Sequence, residues 1–260
     1  MKAVSFLTVL IFALMAASAS AQKIPDKPFT EWSKDAAQKL TTESGWAKTY
    51  QSTESKAAAD ARNVRREQRD TVNSGGGNPG SVSRTGGNMP IVIRLHSAQV
   101  IRQATVRLQQ IFAKYDKMSD TEKAAFDTSR KVFLECGICK DYYVVTITKF
   151  TDNSGEQVND GIFQDVKLDD IKGQVALVND HGERRELIQF TPSKGAGDSA
   201  IFFFKRLDES GKPLLSADSK ELQFTFTQTF IDWNRRDFGL YPRRFEFSVP
   251  KMIVNGEVMF

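Results

Sequence analysis

Beyond Asp141 the chain alternates apolar and polar side chains with a period of two, and this constrains the fold more than any other feature. In DYYVVTITKF, Tyr143, Val145 and Ile147 fall on one face and Val144, Thr146 and Thr148 on the other. LQFTFTQT does the same with Leu222, Phe224 and Phe226, and RRFEFSV repeats the pattern near the end of the chain. Successive strand side chains point to opposite faces, so such alternation builds strands with one buried face. SAIFFFKRL is a continuous apolar run, suited to a central strand. GQVALVNDHGERRELIQF turns at Asn179-Asp180-His181-Gly182, and Asn255-Gly256 is a two-residue hairpin signal within KMIVNGEVMF. Turns this frequent predict a mainly antiparallel sheet.

Upstream the period lengthens. PIVIRLH, entered at Pro90, is β-branched and reads as the first strand of this domain. Ser97 is placed to cap a helix whose Ile101, Ala104, Leu108, Ile111, Phe112 and Tyr115 recur at helical spacing. Ser119-Asp120-Thr121-Glu122 is an S-x-x-E capping box opening a second helix, with Phe126 and Phe133 as its buried candidates. The fold class expected is α+β. It comprises a mainly antiparallel β-sheet domain over residues 90–260, a helix pair inserted after its first strand, and a short N-terminal helix.

Residues 51–89 have a different composition. From Gln51 to Pro90 there is no aromatic residue, Leu or Ile, while glycines cluster in GGGNPG and RTGG. Such a segment buries too little apolar area to offset the entropy of ordering it, and reads as a flexible linker. Residues 22–50 form a short amphipathic helical segment, with Thr30 as its cap and Trp32, Ala36 and Leu40 on one stripe. Ser44-Gly45 ends that pattern before Trp46. Trp32, Leu40 and Trp46 require a hydrophobic surface, on this chain or on another protein. Docking on the same chain is the simpler solution.

Residues 1–21 place the protein in a compartment. Lys2 precedes an apolar run from Val9 to Ala17 and the A-x-A signal Ala19-Ser20-Ala21, the pattern of a secretory signal peptide with Gln22 as first mature residue. The run is too short to span a bilayer, and no later stretch approaches that length, so no transmembrane helix is expected in the mature chain. The chain carries 36 Lys and Arg against 32 Asp and Glu, for a net charge of +4. That balance lacks the strongly basic footprint of a nucleic-acid binder, and no nucleic acid is expected as a partner. The product is read as an exported soluble protein, periplasmic or extracellular.

The two cysteines, Cys136 and Cys139, stand in LECGICKD at C-x-x-C spacing. A redox dithiol of the thioredoxin type puts its first cysteine at a helix N-terminus, where the dipole stabilises a thiolate. Here the capped helix precedes the cysteines and a strand follows, so Cys136 falls near a helix C-terminus. A c-type haem needs His after the second cysteine, and position 140 is Lys. A zinc site needs four ligands, and only His96 and His181 are available to complete one. A disulfide at a helix-to-strand turn is the leading reading, and a periplasmic thiol–disulfide protein using Cys136 and Cys139 is the alternative. No metal site and no cofactor are assigned. There is neither a G-x-S-x-G elbow nor an H-E-x-x-H motif, and a hydrolase would have to centre on His96 or His181. The acidic loop from Thr151 to Gly161 has turn composition without an EF-hand register.

IDWNRRDFGLYPRRF interleaves Arg235, Arg236, Arg243 and Arg244 with Trp233, Phe238, Tyr241 and Phe245. Arginine beside aromatics suits recognition of anionic groups or of a partner protein, whereas a loop over a sheet edge would show the same composition. Arg235, Arg236, Tyr241, Arg243 and Arg244 are the binding candidates, with an envelope protein or an anionic surface ligand as the partner. The oligomeric state is not legible.

The pattern W-S-K-x-x-A-x-K-L-x-x-x-S-G-W-A-K-T, from Trp32 to Thr49, resembles a group of secreted bacterial proteins of unknown function. Their mature chains open with W-[TS]-K…L-x-x-S-P-W-x-x-T, followed by a flexible stretch and a strand similar to IVIRLHSAQVIRQA. Gly45 stands where that group has proline, and its pattern does not demand C-x-x-C. The resemblance implies export and a shared architecture, and lends no catalytic residue. The functional expectation is a non-catalytic binding or interaction domain of the cell envelope or extracellular space.

Overall fold

A computed structural model describes residues 24–50, 91–149, 163, 166–194, 198–227, 243–254 and 256–260. The expected signal peptide (1–21), the expected linker (51–89) and the loop from Thr151 to Gly161 lie outside the described residues. The molecule mixes helix and strand and is dominated by one antiparallel sheet. Its strands are β1 (Ala47–Tyr50), β2 (Ile91–Leu95), β3 (Tyr142–Lys149), β4 (Val175–Asn179), β5 (Arg184–Thr191), β6 (Ser199–Lys205), β7 (Glu221–Phe226) and β8 (Arg244–Ser248). They are ordered β1-β2-β3-β6-β5-β4-β7-β8, and every pairing is antiparallel. SAIFFFKRL supplies β6, which lies between β3 and β5 and is apolar along most of its length.

The sheet curls into a nearly closed barrel. Its two ends meet at Tyr50. The Tyr50 hydroxyl on β1 accepts the Glu246 N–H of β8 at 3.1 Å, and the Tyr50 ring packs edge-on to Phe245 with centroids 4.8 Å apart. Inward residues of the alternating strands fill the interior, where Trp46, Tyr143, Phe202, Phe204, Phe224, Phe245 and Phe247 are among the largest fully buried side chains. Edge-to-face pairs such as Phe224–Phe226 (4.9 Å) and Phe202–Phe224 (5.2 Å) bring positive ring edges to negative faces.

The four α-helices among the described residues are α1 (Lys34–Thr42), α2 (Gln99–Phe112), α3 (Asp120–Glu135) and the single turn α4 (Leu168–Ile171). The helix pair α2 and α3 follows β2. This is the second strand of the sheet, because residues 47–50 pair in front of it, Ala47 opposite Arg94 and Tyr50 opposite Ile91. The N-terminal segment is thus only partly helical, its last residues forming an edge strand. Its cap is Ser33, whose hydroxyl accepts the Ala36 N–H at 3.2 Å, whereas Thr30 lies in a preceding 3-10 turn. At α3 the capping box of Ser119 and Glu122 is formed as predicted. That helix rests lightly on the rest: none of its residues is fully buried, and Phe126 and Phe133 are only half-buried. On α2 the predicted stripe is buried at Ile101 and Ala104, but Phe112 at its end is exposed.

A C-terminal hairpin of β9 (Ile253–Val254) and β10 (Glu257–Val258) closes against the N-terminal segment, with Gly256 in the left-handed region at φ 84°. The approach is close at Gly45. A Cβ there would lie 2.8 Å from the Lys251 carbonyl oxygen and 2.9 Å from its carbon, backbone atoms that cannot swing aside. Gly45→Ala is therefore expected to destabilise the protein by about 1–3 kcal/mol, the range for overpacking a fitted contact. Urea unfolding of the two proteins checks it.

Candidate functional site

The disulfide forms where the chain leaves α3. Cys136 ends that helix in the left-handed region (φ 43°, ψ 67°), donating its N–H to Val132 O at 3.0 Å, and a 3-10 turn over Gly137–Lys140 brings Cys139 back. Cys136 and Cys139 are bonded, with Cα atoms 5.3 Å apart. Cys139 is buried with Val144 and Phe203, so the turn is held against the face of β3 and β6 that points away from the main core.

Beside this turn is a cavity of about 280 Å³. Its polar wall holds Ser97, Arg102, Lys140 and Arg206. Its apolar wall is made by the disulfide and by Met259 and Phe260. The two arginines arrive from distant elements. Arg102, one turn into α2, is buried and donates to the carbonyls of Leu134 (3.0 Å), His96 (3.0 Å) and Ser97 (2.6 Å). Arg206 follows β6, donates to Tyr142 O at 3.4 Å, and lies over the rings of Tyr143 (5.2 Å) and Phe260 (4.9 Å). Neither guanidinium has a carboxylate within salt-bridge distance among the described residues. Burial lowers the pKa of both; the charge of Arg206 lowers that of Arg102 further, while Tyr143 and Asp141 partly offset the effect of burial on Arg206. The one acid on the wall, Glu135, is largely exposed and lies 3.8 Å from Lys131.

Ser97 does not cap α2. The helix begins one residue later with Ala98 as its cap, no side chain bonds its first turn, and no acid lies there. Ser97 is 2 % exposed and its Oγ has no hydrogen-bond partner. A buried unpaired hydroxyl carries a desolvation penalty, so this one calls for a partner.

No family model, curated protein or solved structure matches this chain. The site must therefore be read from its own residues.

Of the residues singled out in the sequence, Cys136 and Cys139 stand at this cavity. Arg235, Arg236 and Tyr241 lie outside the described residues, while Arg243 and Arg244 are exposed where β8 begins. Trp32, Leu40 and Trp46 are buried in the chain's own core, Trp32 donating its indole N–H to Lys27 O at 3.0 Å. His96 packs edge-on to Phe133, centroids 4.9 Å apart, and burial followed by the charges of Arg102 and Arg94 lowers its pKa to about 4. An imidazole held that low is a weak base at neutral pH, which suits packing better than general-base chemistry. No group of three or more metal-ligating side chains occurs among the described residues, and no helix among them is long and apolar enough to cross a membrane. Ser97, Arg102, Lys140 and Arg206 have no sequence signature as a set. Only the position of Lys140, directly after Cys139, points toward the site.

Proposed function

We propose that the protein is exported and works by binding, with the cavity beside the disulfide as a contact site rather than a reaction centre. The observation that carries this reading is the pair Arg102 and Arg206. Two cations lose hydration to face one cavity, held there by backbone carbonyls and aromatic rings. Asp141 offsets the charge of Arg206 from a distance, and no carboxylate among the described residues pairs with either guanidinium at salt-bridge distance. A buried charge in a purely structural role is ordinarily paired, so the buried Arg102, with the half-buried Arg206 beside it, suits a ligand that brings the opposite charge. Arg243 and Arg244 add an exposed basic pair, in keeping with an anionic ligand or an envelope partner. In this reading the mature chain starts at Gln22 and the disulfide anchors the turn that frames the cavity.

One observation favours a second reading, a thiol–disulfide protein. Both cysteines line a cavity that also holds Arg102, Lys140 and Arg206. Nearby cations stabilise a thiolate and oppose the effect of the helix C-terminus. The reduction potential separates the two. The binding reading expects a structural disulfide below about −300 mV and a secreted product whose mass corresponds to residues 22–260. A potential above about −200 mV, in the range of disulfide-exchange proteins, would replace it with the redox reading.

A further inference from the structure

We infer that the cavity is an oxyanion site: it holds the carboxylate or phosphate of a small molecule, with the apolar body of that molecule against Phe260, Met259 and the disulfide. The inference rests on the binding reading and specifies its ligand.

Four features point to an anionic ligand. Arg102 and Arg206 supply two positive charges without carboxylate partners, and Lys140 supplies a third from an exposed position. The first turn of the 14-residue helix α2 is uncapped and free of acids, so its backbone N–H groups and dipole favour an anion nearby. The buried Ser97 Oγ on the same wall has a hydrogen to donate and no acceptor. The one acidic side chain among the described residues lining the cavity, Glu135, is largely exposed beside Lys131. A planar guanidinium with several N–H donors matches the oxygens of a carboxylate or phosphate, and a hydroxyl completes such a set.

The other wall limits the rest of the ligand. A volume of about 280 Å³ exceeds what a bare inorganic ion needs and approaches the lower range of small-molecule sites. The surplus space is bounded by Met259, Phe260 and the disulfide, which offer an acyl chain or aromatic ring a place to lose water. The ligand class is therefore a small amphipathic oxyanion.

Titration calorimetry of the full oxidised chain at low ionic strength tests this with phenyl phosphate, phenylacetate, inorganic phosphate, acetate and the cation phenethylamine. The expected result is binding of phenyl phosphate or phenylacetate about tenfold or more tighter than its ring-free counterpart, as burying a ring supplies. Which aromatic anion wins identifies the head group. Phenethylamine, of similar shape and opposite charge, is expected not to bind. Ser97→Ala should fold at least as stably as the native chain, because it removes only an unpaired hydroxyl, and should weaken the preferred probe about tenfold. Lys140→Gln, at an exposed position, should weaken it less and flatten its salt dependence.

Absence of binding by both aromatic anions at about 5 mM, more than a thousandfold above micromolar affinity, overturns the inference. So does equal binding of phenethylamine, or an affinity that neither variant changes. A low reduction potential with no anion binding removes the oxyanion site and leaves the binding reading standing. An oxidising potential removes the binding reading whatever the anions do.

Discussion

Replacing Trp46 with alanine is expected to lower the stability of the folded protein by about 3–5 kcal/mol, the range for deleting a large aromatic side chain from a packed core. Trp46 is fully buried, although it lies only five residues before the start of the segment that separates β1 from β2. Its indole N–H donates to the Met259 carbonyl, and its own carbonyl accepts the Leu95 N–H at 2.8 Å, extending the β1–β2 ladder by one bond. The residue thus joins three parts of the chain far apart in sequence, its side chain reaching Met259 and its main chain Leu95. Trp46→Phe keeps most of the volume and loses the indole hydrogen bond, so it should cost about 1–2 kcal/mol. Urea unfolding followed by far-ultraviolet circular dichroism measures both, with an unchanged slope showing that the same surface is exposed on unfolding. If the alanine variant falls within about 1 kcal/mol of the native chain, residues 24–50 do not belong to the cooperative unit. Loss of the larger amount would mean that an accessory appendage is the wrong description of this segment, and that β1 completes the sheet.

The strands were legible because each carries its own evidence. In β7 the alternation Leu222, Phe224, Phe226 is reproduced residue by residue in the burial pattern, and the turn at Asn179 is held by its side-chain oxygen, which accepts the N–H groups of His181 (3.1 Å) and Glu183 (2.9 Å). Both signals are local, and local signals survive without knowledge of the rest of the chain. β1 was not legible. AKTY is only four residues long, and its pairing with β2 is made across the linker, so nothing within it reveals the partner. Phe112 was misread for a related reason: helical spacing says which side chains share a stripe, but not where along the helix the neighbouring core ends.

The site was hidden by a longer version of the same problem. Ser97 looks like a cap because serine before an apolar helical stripe ordinarily is one. Here the helix starts one residue later, and that shift releases the hydroxyl to the cavity wall. Arg102 occupies a polar position in an amphipathic pattern and Arg206 follows an apolar strand, both ordinary places for a solvated cation. Only the pairing of β3 with β6, joined to the turn after α3, brings residues 97, 102, 140 and 206 around one space. The cysteines were legible as a pair and as a turn, and the placement of Cys136 after a helix was right. What the linear order could not supply was the positive charge that surrounds them.

Between pH 7 and pH 4 the native protein should lose about 3 kcal/mol of stability through His96 alone. In the unfolded chain this imidazole takes up a proton near pH 6.5, its ordinary value, whereas in the folded protein burial and the charges of Arg102 and Arg94 hold the proton off until about pH 4. Over that window the unfolded state binds the extra proton, so acidification favours unfolding. The contribution is complete above pH 6.5, declines as pH falls, and is exhausted below about 4, where both states are protonated. Carboxylates such as Glu183, whose pKa is lowered chiefly by its hydrogen bond from Lys212, add their own loss at the acid end, and total acid lability therefore does not isolate the histidine. The difference between the native chain and His96→Gln does. The variant cannot titrate at this position, so its urea midpoint should fall less steeply between pH 7 and pH 4, with the two stability curves converging by about 3 kcal/mol. Parallel curves would mean that His96 charges freely in the folded state and that its ring is not enclosed by Phe133 and the neighbouring arginines. The same enclosure bears on the cavity. His96 O and Ser97 O both hold Arg102, so protonating His96 adds a like charge beside the guanidinium that faces the cavity, and the loss of stability begins at the wall of the proposed anion site.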